Sequence, residues 1–418
     1  MQSTIRDWAR QLGPGLITGA ADDDPSGIAT YSQAGAKFGF LTLWTIVFTY
    51  PLMVGIQLVS ARIGRVTGHG LASNIGRHFP RVVLYGVVAL LVVANTINIA
   101  ADIAAMGEAL HLVVGGPSHV YVVLFGGACL LLQVFLTYQR YVRYLKWLTL
   151  ALLSYVALVL TIDIPWREVA AHSLTPHFAF TADYLTVVVA VFGTTISPYL
   201  FFWQASHEVE ELAADPNADA LAHAPQGAEE HLRRIKIDTY LGMGFSNIVA
   251  FCIILGTAAT LNAAGVTDIQ TSAQAAEALR PLAGDFAFLL FALGIIGTGL
   301  IAVPVLAGSA AYALAETFEW KRGLDLKLLE AREFYAMIAL ATLGGVALDF
   351  SPIDPIKALF WSAVINGVIA VPIMMVMMLL ADDPKVMGRF TVTRRLKALG
   401  WLATGAMAAA VAGMLATW

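Results

Sequence analysis

Residues 20–27 read Ala20-Ala21-Asp22-Asp23-Asp24-Pro25-Ser26-Gly27, and the apolar stretch Leu16–Ala21 leads straight into them. Charged groups at membrane depth are costly and are functional candidates by default. Pro25 removes a backbone donor and disfavours the α region for Asp24, and Gly27 loosens the chain further. The expectation is a broken helix, with carbonyls and carboxylates freed where the backbone lines a cavity. The rival reading starts the helix at Pro25 and leaves the acids in the interface; the apolar residues before them argue against it.

That the surroundings are a membrane follows from composition. Of 418 residues, 13 % are charged and 58 % hydrophobic, against roughly 25 % charged in a soluble domain. Mean hydropathy is +0.72. A soluble fold would lack polar residues for its exposed shell. The balance excludes a soluble enzyme, a disordered chain and a nucleic-acid binder; net charge is −4. Cys129 and Cys252 lie in apolar runs and suggest neither a disulfide framework nor a Cys metal site. The N-terminal MQSTIRDWARQLGPG does not have the form of a signal peptide.

Eleven stretches are long and apolar enough to span, near 13–34, 41–61, 82–112, 119–138, 144–163, 184–205, 237–261, 284–312, 333–348, 356–380 and 397–417. With residues 1–12 in the cytoplasm, the inner segments hold 21 Lys and Arg, and the outer ones only Lys37, Arg167, Arg280 and Lys357. This asymmetry predicts a plasma (inner) membrane protein, N-terminus cytoplasmic and C-terminus outside. The connector 206–236 reads as a solvated loop, with His207, His223 and His231 as a less favoured metal-sensing cluster.

The sixth span carries a second interruption, Phe192-Gly193-Thr194-Thr195-Ile196-Ser197-Pro198-Tyr199-Leu200. Pro198 should free the Thr194 carbonyl, four residues back. Breaks in the first and sixth of eleven spans suggest two inverted five-helix repeats, 13–163 and 184–380, followed by an extra helix at 397–417. The site then lies at the midplane between the broken helices. In the third span Asn95, Asn98 and Asp102 share one face. They read as a wet pathway rather than as glue between helices. Asn366, before Gly367 in the tenth span, either offers an amide oxygen or merely packs.

Several motifs resemble the Nramp divalent-metal transporters. They are Gly13-Pro14-Gly15, Asp24-Pro25-Ser26-Gly27, Gln33-Ala34-Gly35-Ala36, Ser60-Ala61-Arg62-Ile63-Gly64 and Gly193-Thr194-Thr195-Ile196-Ser197-Pro198. The resemblance runs through all eleven spans. It implies an all-α integral membrane protein of LeuT-type fold, with helices 1 and 6 broken.

The departures matter more. The family's first motif, Asp-Pro-Gly-Asn, keeps its acid here as Asp24, but the Asn position is Gly27. Its sixth-helix motif, Met-Pro-His, has Ser197 at the Met position and Tyr199 at the His position. By resemblance, the metal site is Asp24, Gly27, the Thr194 carbonyl and Ser197. Asp22, Asp23, Asn95, Asn98, Asp102, Tyr199 and Asn366 would act through water or line the path. Without the thioether the donors are all oxygen, which suits Mg²⁺ and Mn²⁺ over softer metals, and loss of Asn and Met leaves room for the waters that Mg²⁺ retains. This pattern resembles the divergent Nramp-related magnesium transporters. A phenol with an ordinary pKa near 10 does not replace a titrating His, so proton coupling should be weak or absent.

The partners expected are a divalent metal ion, Mg²⁺ or Mn²⁺, as substrate, and the lipid bilayer. No cofactor, nucleic acid or obligate protein partner is called for. A proton-coupled Mn²⁺/Fe²⁺ importer is the nearest rival. An amino-acid symporter on the same fold is opposed by three acids at the break, which repel a carboxylate substrate. No nucleophile–base arrangement points to an enzyme.

Overall fold

Proline, glycine and short capping side chains set where the helices begin and end. A computed structural model describes residues 19, 21–135, 148–214, 219–324, 326–348 and 354–418. The N-terminal segment 1–12, the Gly13-Pro14-Gly15 motif and the inner-side cations Arg140, Arg143 and Lys146 lie outside the described residues. Among the described residues there is no strand. The long helices are α1 (Pro25–Phe38), α2 (Leu43–Thr67), α3 (Arg81–Val114), α4 (Ser118–Phe135), α5 (Leu153–Thr161), α6 (Ala182–Thr195), α7 (Pro198–Ala214), α8 (Ala228–Thr257), α9 (Ala287–Thr317), α10 (Arg332–Leu348), α11 (Pro355–Asp382) and α12 (Arg394–Thr417).

Eight helical runs among the described residues have the length and apolarity to cross a membrane. The difference from eleven has identifiable causes. One 43-residue run joins α1 and α2, α5 has 9 residues and α10 has 17. The eleven-fold count therefore rests on the charge alternation. Helix α3 is one unbroken piece of 34 residues, about 51 Å at 1.5 Å per residue, and its ends project beyond a hydrocarbon core of about 30 Å. It packs against α9, α10 and α11.

Both expected breaks are present. Gly19, Ala21 and Asp22 are helical, the helix lapses at Asp23 and Asp24, and α1 starts at Pro25. Helix α6 stops at Thr195, Ile196 leaves helical geometry (φ −114°, ψ 62°), and α7 starts at Pro198. Proline alone does not explain this, since Pro51, Pro304 and Pro372 sit inside continuous helices. At the two breaks, side-chain caps take over the backbone groups that the helix gives up.

Glycine lets helices meet near both breaks. A Cβ on Gly193 of α6 would fall 2.1 Å from the Ala363 carbonyl of α11. A Cβ on Gly64 of α2 would fall 2.4 Å from the Ala205 carbonyl of α7. Beside it, Ser60 Oγ donates to the Phe201 carbonyl (2.5 Å) and Gln57 Nε2 to that of Leu200 (3.0 Å). The Ser60–Gly64 motif is thus a clamp between α2 and α7.

Among its described residues, the connector 206–236 is mostly helix rather than a solvated loop. Helix α7 runs on to Ala214 and α8 starts at Ala228. Glu208 is buried and pairs with Arg234 at 3.2 Å, and Arg234 also pairs with Glu211 at 2.5 Å. A buried carboxylate requires such a partner. The three histidines do not converge. His207 packs on the Trp203 ring, His231 meets Arg65 at 2.8 Å, and His223 lies beside Asp219.

Candidate metal-binding site

The site is built from two helix ends. Asp24 is the N-cap of α1, in extended geometry (φ −70°, ψ 168°). Its Oδ1 accepts from the Gly27 amide and from Ser26 Oγ, both at 2.7 Å. An acidic cap also complements the positive end of the helix dipole. The second oxygen, Oδ2, faces Tyr199 at the start of α7. The Tyr199 hydroxyl lies 3.0 Å from the Ala21 carbonyl and 3.4 Å from Asp24 Oδ2. One phenol therefore spans the first break from the second.

Near this tie stand polar atoms that no protein group satisfies. Thr194 Oγ1, Asp22 Oδ1 and Asp23 Oδ2 are buried without a hydrogen-bond partner, as are both side-chain polar atoms of Asn98 on α3. Asp102 is fully buried and lies within electrostatic reach of Asp24. Its carboxylate faces the Ser26 amide without a hydrogen bond of ordinary geometry. A buried unsatisfied polar group costs about 1–3 kcal/mol, so a cluster of them marks a place where water or a cation completes the set. Among the described residues no three His, Cys, Asp or Glu side chains are grouped to hold a metal. Any cation here would meet the Asp24 carboxylate and the Thr194 hydroxyl, with Asp102 in electrostatic reach.

Several expectations change. Ser197 does not point into the site: its Oγ donates to the carbonyls of Gly193 (2.9 Å) and Thr194 (2.8 Å). The Thr194 carbonyl freed by Pro198 is thereby taken up, and the oxygen of that residue left without a partner is the hydroxyl. Nor does Gly27 leave open space. A Cβ there would fall 3.2 Å from Thr194 Oγ1 and 3.3 Å from the Tyr31 ring, so Thr194 and Tyr31 fill the room of the missing Asn. Asn95 is glue, donating to the Leu306 carbonyl (2.8 Å) and Ser309 Oγ (2.7 Å) of α9. Only Asn98 and Asp102 of that stripe keep unsatisfied oxygens. Asn366 is buried with its Nδ2 unpartnered, and the adjacent Gly367 lies against Gly193.

Asp22 and Asp23 do act together, through a residue that the sequence did not single out. Ser246 Oγ of α8 lies 2.6 Å from Asp22 Oδ2 and 2.9 Å from Asp23 Oδ1. One turn before it, Gly242 packs on Gly19, whose Cβ would fall 2.3 Å from the Gly242 carbonyl. Nothing local marks Ser246, because its partners are more than 220 residues away.

The site itself is closed: Asp22, Asp23, Asp24, Thr194 and Ser197 are each at most 2 % exposed. A cavity of about 230 Å³ approaches it between α1, α6 and α11. Gln33, Lys37, Asp183 and Lys357 line it, and Lys37 and Asp183 pair across it at 2.9 Å. Its wall includes Ala29, one turn from Pro25. The opposite end is held by Glu208, Glu211 and Arg234, and by Glu316, which accepts from the Ser73 amide (3.0 Å) and Ser206 Oγ (3.3 Å).

A helical bundle with two broken helices tied end to end, and a buried polar site between them, defines a multi-pass membrane transporter of the LeuT-type fold. Residues 15–417 match the family described as natural resistance-associated macrophage protein-like, and the chain belongs to that Nramp family. It is 23 % identical to the divalent metal cation transporter MntH of Caldanaerobacter subterraneus subsp. tengcongensis, over 95 % of this chain and 90 % of that one. It is 30 % identical to the MntH of Yersinia enterocolitica, over 70 % and 69 %. Among solved structures, an Eremococcus coleocola manganese transporter mutant has the same fold with TM-score 0.76 and 18 % identity, over 98 % of this chain and 87 % of that one. Mhp1, a nucleobase-cation-symport-1 family transporter, matches with TM-score 0.60 and 14 % identity, over 97 % and 92 %. The family and these relatives are transporters, not enzymes.

Proposed function

We propose that the protein takes up hard divalent metal ions, Mg²⁺ and also Mn²⁺, by alternating access with a largely hydrated ion and little or no proton coupling. The two five-helix repeats, 13–163 and 184–380, form the frame, with the N-terminus in the cytoplasm of an inner-membrane protein. The observation that supports this reading most is the donor set at the breaks. Asp24 stands beside the unpartnered Thr194 hydroxyl, with the Asp102 carboxylate in electrostatic reach. Such a set suits ions that favour carboxylate, hydroxyl and water. Tyr199 holds the place where the family has a His, and ties the breaks without a group that titrates near neutral pH. A membrane potential contributes about 2.3 kcal/mol per charge per 100 mV, hence about 4.6 kcal/mol for a divalent ion. That drives uptake without protons.

A proton-coupled Mn²⁺ importer is the second reading. The relatives named as divalent metal cation and manganese transporters favour it, and Mn²⁺ also accepts oxygen ligands. One experiment separates the two: Mg²⁺ and Mn²⁺ uptake into liposomes with an internal pH dye and a clamped potential, for wild type and Asp24→Ala. Mg²⁺ entry without acidification, lost in the variant, supports the first reading. Mn²⁺ entry alone, with acidification, overturns it.

A further inference from the structure

Between α2, α8 and α12 a groove of about 500 Å³ opens on the flank of the bundle, far in sequence from either helix break. Its walls are apolar, with Leu58, Leu232, Ile235 and Leu399. Its rim is basic. Arg233, Lys236 and Arg395 are exposed, and among the described residues none of them has an ion-pair partner; Lys236 sits over the Tyr240 ring. Arg62 adds a fourth cation, its guanidinium held by the carbonyls of Phe390 (2.8 Å) and Thr391 (3.2 Å). Glu229 is the one acid on the lining.

Two further facts fix the kind of occupant. The exposed face continues from the basic rim along α8 and α12 as Tyr240, Leu241, Phe245 and Leu402, between 39 % and 60 % exposed. Large apolar side chains so exposed are at home in hydrocarbon, so the groove runs from a charged interface into the bilayer. It also lies at the end of the molecule where the basic residues concentrate, which in the orientation proposed above faces the anionic cytoplasmic leaflet. A small soluble anion has no use for the apolar walls, and a neutral lipid leaves the rim cations uncompensated. An amphipathic anion satisfies both.

We propose that the α2–α8–α12 groove binds an anionic glycerophospholipid. Its phosphate contacts Arg233, Lys236 and Arg395, and an acyl chain lies along Leu58, Leu399 and Tyr240. Basic pockets between membrane helices hold anionic headgroups in this way.

The full-length protein is placed in nanodiscs of phosphatidylcholine, alone or mixed with phosphatidylglycerol. Retained lipid is counted by native mass spectrometry, and the unfolding midpoint is measured. Phosphatidylglycerol should be retained with a preference of about tenfold or more over phosphatidylcholine and should raise the midpoint. The triple variant Arg233→Gln/Lys236→Gln/Arg395→Gln should lose both effects while unfolding like wild type in phosphatidylcholine alone. The mass count reads binding apart from stability, so a weakened variant still gives an answer. An unchanged preference in the variant, or equal retention of the two lipids by wild type, overturns the proposal. So does an equal rise in midpoint with inorganic phosphate, which would make the rim a site for a free anion.

Discussion

The Tyr199 hydroxyl stands 3.0 Å from the Ala21 carbonyl and 3.4 Å from Asp24 Oδ2, so one side chain at the start of α7 holds both sides of the first helix break. A group that titrates near pH 6.5 at this position adds a proton-dependent step. Tyr199→His should therefore make metal uptake depend on external pH between about 6 and 7, where wild type stays flat. Uptake rates across that range check it, and a flat profile in the variant counts against the role given to Tyr199.

Asp24 does two jobs that one substitution separates. Asn caps a helix as well as Asp does but carries no charge. Asp24→Asn should unfold within a few degrees of wild type, yet lose about ten- to hundredfold in apparent ion affinity, the worth of a contact to a charged group. Uptake titrations alongside melting curves test this; a loss of fold in Asp24→Asn would mean that the charge is chiefly structural.

Ser197→Met would put a thioether beside the oxygen donors proposed above, and releases the Gly193 and Thr194 carbonyls from the serine hydroxyl. Inhibition of Mg²⁺ uptake by Cd²⁺ should become at least about tenfold more potent. An unchanged Cd²⁺ inhibition constant would show that position 197 does not reach the ion.

Gly193→Ala drives a methyl to 2.1 Å from the Ala363 carbonyl, backbone that has no soft way to yield. It should destabilise by at least about 1–3 kcal/mol. Gly86→Ala, which meets nothing within 4 Å, is the matched control. Chemical or thermal unfolding of the two variants side by side makes the comparison.

Outside the spans, burial and the nearby Arg77, Arg322 and His223 hold His69 below its ordinary value. The unfolded chain then takes up a proton at higher pH than the folded one. Its contribution is complete above about pH 6.5 and is lost as pH falls from there through the lower folded-state value. His69→Gln should show a slightly smaller drop in unfolding midpoint between about pH 7 and pH 5; His69 is partly exposed, so solvent screens the effect.

The breaks at Pro25 and Pro198 were legible because proline acts locally, and because the acids and hydroxyls that cap them are neighbours in sequence. What reaches across the chain was not. Ser246 looks like any hydroxyl in an apolar run until α8 brings it to Asp22 and Asp23. Glu208 and Glu211 read as solvated because Arg234 lies more than 20 residues on, and only the return of α8 along α7 pairs them. Asn95 and Asn98 are alike by spacing; which one binds α9 is decided by where the Leu306 carbonyl falls. Ser197 was correctly placed at the break, but its hydroxyl had a nearer task, closing the carbonyls that Pro198 leaves open.

The clamp between α2 and α7 bears on the transport cycle. Three contacts in succession, from Gln57, Ser60 and Gly64, seize backbone of α7 at Leu200, Phe201 and Ala205. Helix α7 cannot slide or rotate alone without surrendering all three. On the alternating-access cycle proposed above, α7 would move together with α2, and the short link Ile196–Ser197 would be its hinge. Stiffening that link should slow turnover while leaving ion affinity where it was.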